Sequence, residues 1–182
     1  MTFKGNLTLT FVNHNDASYF YDEYLLLNDD TGEPVADFHV DDFNGGVEIA
    51  GGVLDLERHG NKGYMSRGLE MLCKLLFEND AELPFIFVNI DTDNAFSIKL
   101  ALKCGFIKTP DDYYYLFNPN SNIVNRWIEN IKSAEDANYM RTVYEHNSKS
   151  KLECNTTPGA QTQKKIHPSR TRKKSFDQRW SS

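Results

Sequence analysis

The hydrophobic periodicity of the chain changes near residue 63, and this change restricts the fold. Earlier apolar and β-branched runs are bounded by turn residues and predict four strands, at Leu7–Val12, Tyr19–Leu27, Pro34–His39 and Val47–Leu56. NDDTGE and DDFNGG are hairpin signals, so this part is predicted to be an antiparallel meander. Later residues follow a helical period and predict a helix over 63–78, with Met65, Leu69, Leu72, Cys73 and Leu76 on one face.

The segments after this helix complete a mixed sheet. LPFIFVNI (83–90) is typical of a strand covered on both faces, and DTDNAFSIKLALKCGF supplies an Asn cap, a short helix and a glycine stop. DDYYYLF predicts a turn and a final strand. The order β-β-β-β-α-β-α-β indicates an α+β domain with a central, mostly antiparallel mixed sheet flanked by helices. Only the two strands that flank the first helix should be parallel.

The composition of the last fifth of the chain differs from that of the body. Residues 149–180 carry nine Lys and Arg against two Asp and Glu, whereas residues 1–146 carry eleven against twenty-four. A helical stripe over 121–145 predicts a C-terminal helix, and beyond it apolar residues become rare. We therefore expect a domain at 1–118, a helical extension at 119–146 and a disordered basic tail at 147–182.

The sequence gives little support for a secreted or membrane protein, a metal site or a serine nucleophile. The N-terminal sequence lacks the apolar run of a signal peptide or membrane span, and the three cysteines form no C-x-x-C pair, which predicts a reduced, cytoplasmic chain without membrane contact. The five histidines show no metal-ligand spacing, so no metal is expected. A G-x-S-x-G nucleophile motif is absent as well.

A glycine loop, HGNKGYMSRG, stands immediately before the predicted helix. It fits neither a P-loop, whose lysine follows the last glycine, nor a dinucleotide fingerprint, which needs a βαβ unit. The first N–H groups of a helix carry partial positive charge and bind phosphate readily where glycines let the ligand approach. The loop is therefore either a pyrophosphate site or a tight turn without a ligand.

Two segments together resemble the core motifs of the GNAT family of acetyl-CoA-dependent N-acyltransferases. They are LDLERHGNKGYMSRGLEML and NIDTDNAFSIKLALKCGF, and the resemblance covers roughly residues 45–117. In the second segment Asn94, Ser97, Gly105 and Phe106 are in register with the family pattern. KGYMS is most similar to the branch that acetylates protein N-termini and antibiotics. The resemblance implies a GNAT-like fold, acetyl-CoA as co-substrate and direct transfer to an amine.

The resemblance also implies a set of site residues. The backbone of strand 4 near Leu56 should donate an N–H to the acetyl carbonyl, and Ser97, one turn after Asn94, should reach the coenzyme. Lys62 either adds charge beside the pyrophosphate or is a solvated turn lysine, and Asn94 either binds the pantetheine arm or only caps its helix. The coenzyme-binding residues implied are Leu56, Gly60, Asn61, Lys62, Gly63, Tyr64, Met65, Ser66, Asn94 and Ser97. The catalytic residues implied are Glu48, Leu56 and Ser97.

Strand 4 offers Glu48, Asp55 and Glu57 as a general base. Glu48 lies where the family often carries its glutamate and is our candidate, the alternative being a solvated strand carboxylate. His59 could relay a proton but lies in the phosphate loop.

The sequence also departs from the family pattern. Gly60 stands where Gln or Arg is usual, Met65 stands where Gly or Ala is usual, and the second helix reads Leu-Ala-Leu-Lys at 100–103 where many members place a tyrosine. The usual first two helices are missing, since only NHNDAS separates the first two strands. This implies an open acceptor site suited to a macromolecule, or a wall supplied by residues 121–145 or by a partner chain in a homodimer.

Two functions follow as hypotheses. The first is an N-acetyltransferase that acetylates a primary amine, of a protein or an aminoacyl group. The second is a catalytically silent acyl-CoA-binding or adapter domain that docks on nucleic acid or a ribosome through its tail. Residues 147–182 would attract nucleic acid or an acidic protein surface, including the body of this protein.

Overall fold

The computed structural model describes residues 5–12 and 21–151, with side chains described as far as residue 146. The strands in this part of the chain are β1 (Leu7–Val12), β2 (Asp22–Asn28), β3 (Glu33–Phe43), β4 (Gly46–Val53), β5 (Phe85–Val88), β6 (Ile107–Lys108) and β7 (Tyr114–Phe117). The helices are α1 (Leu56–His59), α2 (Tyr64–Asn79), α3 (Ala95–Lys103), α4 (Ser121–Glu129) and α5 (Ala134–Lys151).

The seven strands of the described residues form one sheet in the order β1-β2-β3-β4-β5-β7-β6. The β4–β5 pair is parallel and every other neighbouring pair is antiparallel. The prediction of a mostly antiparallel mixed sheet is therefore confirmed, as is the prediction that the parallel strands flank the long helix α2. Strand β6 and the one-turn helix α1 were not predicted, because two to four residues are too few to show a period.

The β3–β4 hairpin follows from its turn residues. Asn44 and Gly45 have φ of 47° and 86°, and Phe43 pairs directly with Gly46. A two-residue turn with both central residues left-handed matches the twist of the flanking strands, and Asn-Gly adopts it at low cost. This turn fixes the register of β4 against β3 and so determines which β4 residues lie beside β5.

Helices α2 and α3 cover one face of the sheet. Leu69, Leu72 and Cys73 of the predicted helical stripe are buried against sheet residues such as Phe38. The helix approaches closely at Gly68, where an added Cβ would lie 2.7 Å from Cζ of Phe38. Burying one such side chain stabilises the fold by roughly 1.5–3 kcal/mol.

Helices α4 and α5 cover part of the opposite face. The predicted stripe at 121–145 forms these two helices and not one, because Asn130 ends α4 and Ser133 begins α5 by accepting from the N–H of Asp136 at 3.2 Å. Trp127 packs on Phe85 and donates from Nε1 to the Asn44 carbonyl at 3.2 Å. The α5 helix runs to Lys151, past the predicted boundary at 146, and residues 152–182 of the predicted tail lie outside the described residues.

The predicted fourth strand is too long at its C-terminal end. Strand β4 ends at Val53, and Asp55 then caps α1 by accepting from the N–H of Arg58 at 3.0 Å. An extended aspartate whose side chain accepts from the N–H three residues later is a standard helix N-cap. This local bond takes precedence over continued strand pairing. The division of the chain into a domain at 1–118 and an extension at 119–146 stays a prediction.

Candidate active site

A cleft opens where the parallel strands separate. The β4–β5 ladder contains two pairs, Val47 with Ile86 and Glu48 with Phe87, and the strands then diverge. The cleft beyond them has a volume of about 300 Å³. Its walls come from both strands and both helices, at Ile49, Ala50, Gly51, Val88, Asn89, Ile90, Met65, Leu69, Asn94, Ser97, Leu100 and Ala101, among others. Within the described residues, β4 has no β5 partner beyond Glu48, so its main chain can bind an extended ligand there.

The glycine loop lies at the beginning of α2, beside this cleft. Asn61 and Gly63 have φ of 57° and 82°, so the chain takes left-handed conformations twice before the helix begins. The first turn closes where Arg67 donates to the Gly63 carbonyl at 3.2 Å. The earlier N–H groups therefore point out of the helix N-terminus, where the helix dipole favours an anion.

A small cavity of about 20 Å³ lies inside the loop. Gly63, Ser66 and Phe96 are among its lining residues, together with His59, which is 7% exposed. The Nδ1 atom of His59 is buried without a hydrogen-bond partner among the described residues. Such a volume holds about one water-sized atom, and buried polar atoms rarely stay unpaired. Both features fit a loop that receives an oxygen of a phosphate group.

The structure brings many of the predicted coenzyme residues together. Those that line the small cavity are Asn61, Gly63, Tyr64, Met65 and Ser66. Those that line the larger cleft are Met65, Asn94 and Ser97. Met65 therefore stands between the two spaces. Gly60 and Lys62 line neither, and Lys62 is exposed.

The side chain of Asn94 is the N-cap of α3. Its side chain accepts from the N–H of Ser97 at 3.1 Å and begins α3. It also lines the cleft, so its amide nitrogen can donate to a ligand while its oxygen caps the helix. Both alternatives for Asn94 therefore stay compatible with the geometry.

The placement of Leu56 on strand 4 is wrong. Leu56 is the first residue of α1, its side chain is 75% exposed, and it lines neither cavity. Its carbonyl accepts from the N–H of Gly60 at 2.9 Å. The chain leaves the sheet after Val53 because Asp55 caps a helix, so the β4 residues at the cleft are Ile49, Ala50 and Gly51.

Glu48 occupies the last paired position before the cleft opens. It faces Asp41 on β3 and Phe87 on β5 in register. Its neighbours Val47 and Ile49 are buried on the α2 side, so the Glu48 side chain points to the opposite face. Burial, and to a smaller extent the Asp41 carboxylate, raise the pKa of Glu48. Glu48 directly precedes the cleft residue Ile49, but its own side chain is not among the described residues that line the cleft. The other two candidate bases lie farther along the chain, where Asp55 caps α1 and Glu57 is exposed on it.

Sequence reasoning missed some of the cleft and undervalued one residue. Val88, Asn89 and Ile90 follow the paired part of β5 and line the cleft. The continuous apolar run at 83–90 indicated a strand but gave no sign of where pairing stops. The sequence suggested only a proton relay for His59, and the signal that could have raised its rank is an imidazole directly before Gly60 at the phosphate loop.

The close approach of the backbone requires a glycine at position 60, independently of the family motif. An added Cβ would lie 2.3 Å from the backbone oxygen of Leu56. We therefore expect Gly60→Gln, which installs the family residue, to lower the melting temperature and to leave acetyl-CoA affinity no tighter. Overpacking of this kind costs about 1–3 kcal/mol. Thermal unfolding and calorimetric titration check this, with Lys62→Gln, at an exposed position of the same loop, as the control for thermal unfolding alone. A stable Gly60→Gln variant that binds more tightly would contradict the loop geometry.

Two kinds of feature are absent from the described residues, a metal-binding cluster and a membrane-spanning helix. No three His, Cys, Asp or Glu side chains cluster there in a way that could hold a metal ion. None of the helices in that part of the chain has the length and apolar character to cross a bilayer.

The comparison with family models decides the classification. Residues 6–107, more than half of the chain, match the model described as an acetyltransferase (GNAT) domain. The chain belongs to the GNAT acetyltransferase family. The resemblance seen in the two sequence motifs is thereby confirmed. No curated protein matches the chain.

Several solved acetyltransferase structures are similar to this chain at low sequence identity. Mutant forms of spermidine/spermine N-acetyltransferase SpeG from Vibrio cholerae superpose with a TM-score of 0.52 at 12% identity, over 66% of this chain and 99% of that one. Ribosomal-protein-S5-alanine acetyltransferase from Vibrio fischeri has a TM-score of 0.47 at 13% identity, over 56% of this chain and 63% of that one. Aminoglycoside acetyltransferase AAC(6')-Ib in complex with coenzyme A has a TM-score of 0.46 at 20% identity, over 63% and 72%. The chain thus spans less than two thirds of the ribosomal-protein enzyme.

Proposed function

We propose that this protein transfers the acetyl group of acetyl-CoA to a primary amine. The observation that carries the proposal is the cleft between β4 and β5, which adjoins a glycine loop at the N-terminus of α2 whose small cavity admits one oxygen atom. Within a GNAT acetyltransferase domain these two features fit the pantetheine arm and the diphosphate of the coenzyme. Acetyl-CoA supplies the thioester carbonyl that an amine attacks.

The main chain of β4 is the proposed oxyanion donor. Ile49, Ala50 and Gly51 line the cleft directly after the last pair with β5. A fixed backbone N–H at this point can hydrogen-bond the carbonyl oxygen as negative charge develops on it. This assigns to β4 itself the role that was predicted for Leu56. Ser97 and Asn94 on the facing helix α3 are proposed to position the pantetheine arm.

Glu48 is the proposed proton acceptor. Its raised pKa makes its carboxylate a stronger base than an exposed glutamate, which favours removal of a proton from the attacking amine. It lies on the face opposite α2, so the amine would approach from that face while the coenzyme occupies the other. The thiolate can leave without a protonating tyrosine, because a thiol of ordinary pKa near 8.5 is a tolerable leaving group.

The approach to Glu48 favours a cationic acceptor. On the same face β3 carries Asp37, His39 and Asp41, of which Asp41 is exposed, and His39 Nε2 lies 3.5 Å from an Asp37 carboxylate oxygen. Phe43 and Phe87 stack beside this surface with ring centroids 4.4 Å apart, and the α4–α5 cluster continues from them. These contacts support the alternative in which residues 121–145 supply a wall. A protein or aminoacyl acceptor and a homodimer stay proposals.

One observation favours the silent acyl-CoA-binding alternative. Helix α3 presents Leu100 and Ala101 to the cleft, and no tyrosine hydroxyl is among the described residues that line it. Release of free CoA distinguishes the two functions. If the protein binds acetyl-CoA but no amine, peptide or aminoacyl-tRNA pool accelerates CoA release, the binding-domain alternative is correct.

The basic C-terminal segment is proposed to be a tether. Residues 152–182 hold seven Lys and Arg against two Asp and Glu, and they also include Phe176 and Trp180. Lys and Arg side chains bind the phosphates of nucleic acids, and aromatic rings stack on unpaired bases. Deleting 152–182, which keeps α5 whole, should leave acetylation of a small amine intact and weaken salt-sensitive retention on RNA. Equal retention of both forms at low salt would remove the tether, and loss of small-amine activity would assign the segment to the catalytic domain.

A further inference from the structure

The buried histidine of the glycine loop has no role in the proposed acetyl transfer itself. His59 ends α1, where its N–H donates to the Asp55 carbonyl at 2.7 Å. Its ring contacts the ring of Tyr64 edge to face, with centroids 5.8 Å apart, and Tyr64 is 3% exposed. The backbone hydrogen bond and the contact with the Tyr64 ring therefore hold the imidazole in place.

The unpaired Nδ1 atom of this ring is the unusual feature. Leaving a buried polar group without a partner is costly, and native structures pair the large majority of such groups. His59 also lines the cavity inside the loop, together with Asn61, Gly63 and Ser66. At about 20 Å³ this cavity admits a single water-sized oxygen and is too small for a whole diphosphate.

We infer that His59 is a coenzyme-binding residue whose Nδ1–H donates to one oxygen of the coenzyme diphosphate. This rests on the proposed use of acetyl-CoA. In the family motif a Gln or Arg side chain stands at position 60, where this chain has a glycine that admits no Cβ. His59 is the preceding residue at the same C-terminal end of α1, and its buried Nδ1 offers a side-chain donor at the same loop. A neutral imidazole can carry its proton on Nδ1, so no added charge is required.

Two amide substitutions distinguish a hydrogen bond made by Nδ1 from one made by Nε2. The side-chain amide of asparagine can place its nitrogen near the position of Nδ1, whereas that of glutamine extends toward the position of Nε2. His59→Asn should therefore bind CoA within about threefold of the wild type. His59→Gln should bind at least about tenfold more weakly, because a hydrogen bond to a charged group is lost. Titration calorimetry measures both, and dephospho-CoA, which keeps the diphosphate but lacks the ribose phosphate, should show the same loss.

Other outcomes overturn the inference. Equal affinity of all three proteins, equal loss in both variants, or weaker binding by the asparagine variant alone would each exclude a bond from Nδ1. A loss that disappears with dephospho-CoA would move the contact away from the diphosphate. If the wild type itself fails to bind CoA, the proposed function fails together with this inference, whereas CoA binding with unaffected variants removes the inference alone.

A measurement on the wild type covers the case in which a variant does not fold. Long-range nitrogen–proton NMR spectra report the protonation and hydrogen bonding of each imidazole nitrogen. On saturation with CoA the Nδ1 resonance of His59 should move to the position of a protonated, hydrogen-bonded nitrogen. An unchanged Nδ1 resonance in the CoA-saturated protein would contradict the assignment.

Discussion

Glu48→Gln is expected to lower turnover by roughly a hundredfold or more near neutral pH and to leave acetyl-CoA affinity almost unchanged. Glu48 occupies the last paired position of β4 and its side chain points to the face away from α2, so its loss removes a proton acceptor and not a coenzyme contact. The deficit should shrink as the pH approaches the pKa of the acceptor amine, since the amine then loses its proton without help. Steady-state kinetics across pH, with a calorimetric binding constant, measure both effects.

The same substitution should make the protein more stable at neutral pH. Burial and Asp41 raise the pKa of Glu48 in the folded state, so the folded protein holds this proton more tightly than the unfolded chain does. Stability is therefore lost as the pH rises from the unfolded pKa through the raised folded value. Glutamine has no such proton to lose. The melting temperature of Glu48→Gln should therefore exceed that of the wild type at pH values above the folded pKa of Glu48, and the two should match at pH values below the unfolded pKa.

Glu57→Gln is the matched control, because Glu57 is an exposed carboxylate on α1. It should change neither turnover nor the pH dependence of unfolding. If Glu48→Gln retains full turnover, the proton passes to ordered water or another acceptor. A lower melting temperature at neutral pH would show that the carboxylate stabilises the sheet.

Gly63→Glu is expected to weaken acetyl-CoA binding by at least a hundredfold while the protein still folds. The substitution places a carboxylate at the helix N-terminus where the diphosphate is proposed to bind, and two unit charges 4 Å apart repel by about 4 kcal/mol at the effective dielectric of a protein surface. The left-handed φ of 82° costs a side chain about 1–2 kcal/mol, while an acidic residue at this end favours the helix. For the wild type, ligand at a hundred times its dissociation constant should add about 2.7 kcal/mol of stability, which Gly63→Glu should lose.

Gly63→Asn separates the charge from the backbone strain. Asparagine tolerates left-handed φ better than most residues and carries no charge. It should keep most of the affinity and most of the ligand-induced rise in melting temperature. Full acetyl-CoA binding by Gly63→Glu would mean that this loop does not hold the diphosphate.

Local sequence signals predicted most of the fold because each acts over a few residues. Asn44-Gly45 fixed the β3–β4 turn, Asn94 capped α3, and the apolar stripe of α2 became one buried face. The two family motifs then located the loop and the cleft helix. In each case one bond type or one periodicity dominates its neighbourhood, so no tertiary contact was needed to read it.

The errors arose where a short capping bond or a tertiary contact decided the outcome. Asp55 ended β4 early and moved Leu56 out of the sheet, although the residues after Val53 still look like a strand. Asn130 and Ser133 divided one helical stripe into α4 and α5. The divergence of β4 from β5 after Glu48 and the unpaired Nδ1 of His59 depend on packing between distant segments, which periodicity does not show.

Acetyl transfer can be tested most directly with purified full-length protein, isotopically labelled acetyl-CoA and a panel of amines that contains peptides with free N-termini, spermidine and aminoacyl-tRNA. Free CoA and the labelled acetyl group are measured in the same samples. At least one amine should accelerate CoA release and carry the label, and Glu48→Gln should slow both equally. Acetyl-CoA binding without label on any amine in this panel or in a cell extract would contradict the proposed enzyme and favour the silent binding domain.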